Sequence, residues 1–421
     1  MLRALLLFTN FFLILLAYYL VKAASRSLIL EDGNVEDLPI VWIGSAVLLL
    51  VLMPLYQRLL TTFTRMKVVL GSCLVFAFLL VLFWILFNNP RNLAIAAAFY
   101  VTVDIFSVVL IEQFWSLTNG VFQTEQGKRW YGLVASGGLL GGLLGGGTAA
   151  LLVTYTPLTT PDMLLASAAL LGKIYWLTLV LARRGLYVEH GDGAKLNTGD
   201  KIGFGAWRVL KDSRYLQLIA AMLLLAQIAQ PIVDYQFLRA VEIAYPVEDA
   251  RTAFISTIYG LVSGVGLALN LLVAPFILHW LGTLGALLIQ PFALGLASSA
   301  FGVYPSLYGG AGLKVVDRGL SYSINRAAKE LLYVPIDPEI IYRAKAWIDM
   351  VGYRVFKIIG SILIVGLTGG IPMLTVATGE MSWVVLVVCI VWIGLIFAIR
   401  KDYNGLVTEN ISRRKKLAGR G

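Results

Sequence analysis

A chain of 421 residues that is 59% hydrophobic and only 14% charged cannot hide its apolar surface in water-soluble domains, where charged residues make up about a quarter. Its net charge of +10 is gathered in a few turns and a tail, which excludes nucleic acid as the partner it implies. The two cysteines and two histidines are scattered, so neither a disulfide framework nor a metal site is expected, and no cofactor.

A bilayer core asks for about 20 apolar residues per helix. Twelve stretches meet that demand: 4–24, 39–57, 68–88, 93–117, 131–153, 164–182, 214–240, 252–277, 281–303, 305–330, 346–369 and 382–399. Alternating apolar and polar residues are missing, which excludes an outer-membrane barrel. The expected fold is all-α, a polytopic membrane protein of about twelve transmembrane helices in two six-helix bundles, as in the major facilitator fold. The bundles are 1–182 and 214–399, with a cytoplasmic linker at 183–213 and a basic tail at 400–421. No small-residue cleavage pattern follows the apolar start, which is therefore read as the first span.

The first span ends in AYYLVKAASRSLIL, with Lys22 and Arg26 one turn apart on one face. Arg26 stands near the outer end, where its long stem also lets it reach the interface. The loop after it is acidic, with Glu31, Asp32, Glu36 and Asp37, and the turn after the second span is basic, with Arg58, Arg65 and Lys67. Phe83, Trp84 and Phe87 end the third span as an interfacial belt. The fourth span carries Asp104 and Glu112, eight residues apart and roughly on one face. A polar turn follows with Glu125, Lys128 and Arg129, expected to form a cytoplasmic gate. The fifth span holds two nested small-residue repeats, Gly137–Gly141–Gly145 and Gly138–Gly142–Gly146, which permit close helix crossing. A fixed packing groove and a sliding surface both fit them.

The sixth span carries Lys173, and the only long hydrophilic stretch between spans, Arg183 to Arg214, follows it. In the seventh span Gln227, Gln230 and Asp234 share a stripe, Pro231 predicts a kink, and Arg239 stands near the end. The following loop is acidic at Glu242, Glu248 and Asp249. Ser263, Gly264, Gly266 and Asn270 give the eighth span a small, polar face. The tenth is the most charged, with Lys314, Asp317 and Arg318 spaced so that acid and base can meet. The eleventh opens with Asp349, Arg354 and Lys357.

Basic turns on one side and acidic loops on the other predict both termini in the cytoplasm, with the chain in a bacterial inner membrane. The tail segment SRRKKLAGR, Ser412–Arg420, is then at most a contact with anionic lipid.

Within the spans Lys22, Lys173, Arg239, Lys314, Arg318, Arg326, Arg354 and Lys357 outnumber Asp104, Glu112, Asp234, Asp317 and Asp349. An unpaired charge at mid-membrane costs at least about 2.5–3.5 kcal/mol, so a surplus of cations needs a reason. An anionic, phosphorylated small-molecule substrate supplies one. Lys22, Arg318, Arg354 and Lys357 are the candidate substrate-binding residues. Asp104, Glu112, Asp234 and Asp317 would pair with them when the site is empty, or carry a coupling proton. No phosphate-binding loop, zinc-protease motif or Ser–His–Asp arrangement is recognisable, so the chain is not expected to be an enzyme, and it is read as a monomer.

At EQGKRWYGLVASGGLLGGLLGG, after Phe114–Trp115, the chain resembles the nucleotide transporter family, the ATP/ADP translocases of plastids and intracellular bacteria. YYLVKAASRS, SYSINRAAKELLYVPID and KAWIDMVGYRVFKIIGS are similar to further motifs of that family, in the right order and in both halves. The resemblance matches Lys22 to the family's basic residue of the first span, Glu125 to the acid of its turn and Lys357 to its functional lysine of the eleventh span. It departs at Ser25–Arg26, where the family has Lys-Asp. It implies a twelve-span antiporter that exchanges nucleotides. Three functions stay open at this point. The chain is a transporter of an anionic, nucleotide-like solute by alternating access, or a transporter or flippase of an amphiphilic anion such as a lysophospholipid or siderophore, or a non-transporting membrane scaffold.

Overall fold

Inside a bilayer a chain without strand patterning can satisfy its backbone hydrogen bonds only as helix. The computed structural model, which describes residues 2–121, 124–185, 210–336, 338–369 and 376–418, places helix in each expected span. Most of the linker lies outside the described residues, and so do the side chains of Glu125, Lys128 and Arg129.

The first six helices are α1 (Leu2–Asp32), α2 (Leu38–Thr62), α3 (Arg65–Phe87), α4 (Leu93–Val121), α5 (Thr124–Tyr155) and α6 (Asp162–Arg183). After the linker come α7 (Arg214–Ala244), α8 (Glu248–Ala268) and α9 (Ala274–Val303), the last two joined by a π-helical turn at Leu269–Val273. The eighth and ninth spans therefore form one helical run, and it folds back at Gly282, whose φ of 67° is the left-handed region open to glycine. The tenth span is α10 (Leu307–Ser321) and α11 (Ile324–Tyr333). It was expected unbroken over 305–330, but the polar run from Ser321 interrupts it, and the Ser323 hydroxyl donates to the Gly319 carbonyl at 2.6 Å. The eleventh span is α12 (Pro338–Trp347), a π-helical turn at Ile348–Gly352 and α13 (Tyr353–Leu367), and the twelfth opens α14 (Met381–Ala418).

The chain forms two compact units. One holds Met1–Gly193 with Phe237–Leu267, the other Ala194–Gln236 with Ala268–Gly421. In the first, α1 is the central helix, packed against α5, α6 and α4. Asn10 donates to Thr178 at 3.1 Å, and Ser167 donates to the Ala17 carbonyl at 3.0 Å, so α1 and α6 are tied by hydrogen bonds as well as by packing. Such bonds satisfy polar groups that hydrocarbon would leave unpaired. From Tyr19 to Leu30 every residue of α1 is buried except Lys22.

The two glycine repeats of α5 do different work. A Cβ on Gly137, Gly141 or Gly145 would lie 2.7, 2.3 or 2.9 Å from the carbonyl oxygen of Phe8, Phe12 or Leu16. That repeat is a groove for the backbone of α1, turn by turn. On the other repeat a Cβ at Gly142 would lie 2.6 Å from Ser263 Oγ, and one at Gly146 would lie 2.5 Å from the Ser256 carbonyl, both on α8. The first repeat seats α1 alone, while the second is shared, with Gly138 against the Phe11 ring of α1 and Gly142 and Gly146 against α8.

In the second unit α9 packs on α14, α10 and α11 around a core that includes Leu216, Ile219, Met222, Leu287, Ala328, Trp392 and Ile396. Gly360 of α13 approaches α7 so closely that a Cβ would lie 2.9 Å from the Ile228 carbonyl.

Candidate functional site

Among the described residues, three groups of charged residues sit within the helices, and each is built by particular neighbours. The first surrounds Lys22. Its ammonium lies 5.3, 4.7 and 4.4 Å from the ring centroids of Tyr18, Tyr19 and Tyr259. Tyr18 and Tyr19 are adjacent on α1, and the Gly142 and Gly146 approach to α8 brings Tyr259 to the same place. Aromatic faces attract a cation, more so where water is thin. The half-buried Lys22 ammonium thus stands among three tyrosine rings.

Arg26, one turn further on, behaves differently. It is 7% exposed, and its Nη2 lies 3.1 Å from Asp104 Oδ1. The same guanidinium donates to Ser25 Oγ at 2.7 Å and stacks 4.2 Å from the Tyr100 ring. Ser45 donates to the other Asp104 oxygen at 3.0 Å, and Trp42 donates to the Tyr100 hydroxyl at 2.7 Å. Arg26 is thus a buried structural cation, and the interfacial position that its sequence also allowed is not the one it takes. Asp104 is the acid that satisfies it. Glu112, expected on the same face as Asp104, is exposed instead. Eight residues at 100° each leave about 80° between the two side chains, enough to turn one inward and the other out.

The second group joins α7 to α10. Lys314, 3% exposed, is paired with Asp234, and Arg318 Nη2 approaches the other oxygen of Asp234 at 3.5 Å. Arg318 Nε also lies 3.4 Å from Asp317. Gln290 of α9 donates to the Asp317 carbonyl at 3.3 Å. Lys314, Asp317 and Arg318 share a face as their i, i+3, i+4 spacing predicts, and packing brings Asp234 of α7 to the same cluster. A guanidinium shared between two carboxylates can be transferred to an incoming anion at little desolvation cost, because it is already out of water.

The third group lies where α11 meets the eleventh span. Lys329 Nζ is 2.5 Å from the Tyr353 hydroxyl and 3.4 Å from Asp349, and Lys345 pairs with Glu330 at 2.7 Å. Lys329 stands at the end of the tenth span, a position that does not mark it in the sequence as a buried charge. Arg354 and Lys357 are half-buried on α13. Lys173 and Arg326, counted among the membrane charges, are exposed. Both reach the surface because their helix faces point away from the packed core.

A further lattice of ion pairs lies at the end of the first unit that carries the acidic loops. Arg91, between α3 and α4, pairs with Asp32 at 2.9 Å and with Glu248 at 2.5 Å. Burial disfavours its cation, but the hydrogen bond and charge of Glu248, with Asp32 and Glu31 nearby, outweigh that and hold its pKa above the usual value. Arg251 pairs with Glu31 and donates to the Leu30 carbonyl at 2.9 Å. Thr160 donates through its hydroxyl to Asp249 at 2.6 Å, and Ser27 donates to the Glu248 carbonyl at 2.7 Å. The acidic residues of these loops, which set the topology by sequence, are therefore also the partners that tie α1, α4 and α6 to α8.

Comparison with known proteins gives this architecture a family. The profile described as "TLC ATP/ADP transporter" matches residues 92–309 and 302–403. ADP,ATP carrier protein 1 of Rickettsia bellii (strain RML369-C) is 22% identical over 352 residues, covering 74% of this chain and 70% of that protein. ADP,ATP carrier protein 1 of Chlamydia muridarum (strain MoPn / Nigg) is 25% identical over 337 residues, covering 70% of this chain and 63% of that protein. Among solved structures, the nucleoside transporter NupG superposes with a TM-score of 0.62 at 16% identity, covering 97% of this chain and 99% of that one. A bacterial homologue of the iron transporter ferroportin, in an inward-facing state, gives a TM-score of 0.66 at 15% identity, covering 95% and 98%. The solved structures carry the fold, the profile carries the family, and together they establish that the chain belongs to the TLC ATP/ADP transporter family, membrane transporters with the major facilitator fold.

Proposed function

We propose that this transporter exchanges nucleotide-type phosphorylated anions across a bacterial inner membrane, acting as a monomer with both termini in the cytoplasm. The observation that carries the substrate class is Lys22, the one residue between Tyr19 and Leu30 that is not buried, framed by Tyr18, Tyr19 and Tyr259. A lysine among aromatic faces offers a phosphate its charge and a nucleobase a stacking surface. The carriers of Rickettsia bellii and Chlamydia muridarum are named for ADP and ATP, which supports the same class.

Lys22, Arg318, Arg354 and Lys357 are the proposed anion ligands. Asp234 and Asp317 hold Arg318 while it waits, and Glu112 is the proposed carrier of a coupling proton. Asp104 leaves that group, since Arg26 engages it. The bundles 1–182 and 214–399 are the proposed moving halves, with Glu125, Lys128 and Arg129 as a cytoplasmic gate. The Arg91 and Arg251 lattice then lies on the outer side and closes it. Family membership favours this assignment over an amphiphile carrier and over a non-transporting scaffold.

A thermal-shift panel of nucleoside mono-, di- and triphosphates, inorganic phosphate and a lysophospholipid tests the substrate class. Nucleotides should raise the unfolding temperature of the wild type and not that of Lys22→Gln. A shift with the lysophospholipid alone contradicts the proposal.

A further inference from the structure

The kink at Gly282 within α9 and the middle of α14 line an open cavity of about 390 Å³, apart from all the charge clusters described above. Gly282 makes the turn, and Thr283 just after it lies 3.2 Å from the Tyr403 hydroxyl, which pins α14 to it. One side of the cavity is apolar, with Leu281, Leu288 and Phe397. The other presents a cation, a phenol and an amide, from Arg400, Tyr403 and Asn404. Arg400 is exposed, and the acid nearest to it in sequence, Asp402, faces Arg214 at 3.8 Å.

The surroundings of the cavity identify its level in the membrane. Phe276 and Trp280, 62% and 70% exposed, have ring centroids 5.6 Å apart on the helix leading into the turn. Exposed aromatic rings at the end of a membrane helix sit at the headgroup boundary. The chain becomes basic from Arg400 onward, the charge that draws an anionic leaflet. A soluble phosphate would use Arg400 and leave the apolar wall wet; a lipid uses both.

We propose that this cavity is a binding site for an anionic glycerophospholipid. Its phosphodiester pairs with Arg400, with Tyr403 and Asn404 as hydrogen-bonding neighbours. The first methylenes of an acyl chain lie along Phe397 and Leu288, and the rest of the chain remains in the bilayer.

The test is native mass spectrometry of the full-length protein in detergent with phosphatidylglycerol and phosphatidylcholine of equal chain length. One arginine at the headgroup level predicts about a five-fold preference for phosphatidylglycerol. Arg400→Gln should abolish that preference, while Lys401→Gln, next to it but outside the cavity, should keep it. Equal retention of the two lipids, a preference that survives in Arg400→Gln, or one lost equally in both variants overturns the proposal. So does displacement of phosphatidylglycerol by inorganic phosphate at millimolar concentration, which would make this a soluble-anion site.

Discussion

Arg26 and Asp104 form a buried ion pair at 3.1 Å that joins the first helix to the fourth, one turn away from a lysine framed by tyrosines. Two basic residues of one helix face thus stand in different surroundings, one in a buried ion pair and one among tyrosine rings.

That separation predicts opposite phenotypes. Removing one partner of a buried pair costs about 3–5 kcal/mol, because the other charge is stranded. Arg26→Gln and Asp104→Asn should each lower the unfolding temperature strongly, and the double variant should recover most of the loss. Thermal unfolding of the purified protein measures all three; a double variant as unstable as the singles would count against the pairing.

The glycine repeats of α5 predict position-specific tolerance. At Gly141 a Cβ would lie 2.3 Å from the Phe12 carbonyl, whereas at Gly147 it would meet nothing within 4 Å. Gly141→Val should cost about 1–3 kcal/mol by overpacking against α1. Gly147→Ala should be neutral or stabilising by about 0.5–1 kcal/mol, through the gain in helix propensity. Unfolding midpoints of the two variants, compared in one detergent, check the ordering.

The Arg91 lattice predicts a change in access. Ser27 is fully buried beneath it, and the native cysteines Cys73 and Cys389 are buried too. A Ser27→Cys variant should react slowly with a water-soluble thiol reagent, and several-fold faster when Arg91→Ala is added. Equal rates would mean that the lattice does not close that end.

Much of this fold is legible in the sequence because hydrocarbon leaves a chain few options. The helical segments follow from apolar length, and the gap between the spans 252–277 and 281–303 falls close to the kink at Gly282. The shared face of Lys314, Asp317 and Arg318 follows from helical spacing, whereas Asp234, 80 positions away, is brought to it by packing. The partners of Arg26 do not follow in that way. Asp104 is 78 positions along the chain, and only tertiary packing chooses it over water. Glu112 and Lys173 mislead for a related reason. A charge inside an apolar stretch marks depth, but which way it faces is decided by neighbours that periodicity does not name. Tyr259 is equally silent in sequence, and reaches Lys22 only because the glycines of α5 admit α8.

The central claim is exchange of nucleotide-type anions through Lys22. Proteoliposomes loaded with unlabelled ADP should take up labelled ATP, empty ones should not, and Lys22→Gln should abolish uptake while keeping the wild-type unfolding temperature. Uptake that is indifferent to internal nucleotide, or that survives intact in Lys22→Gln, would contradict it.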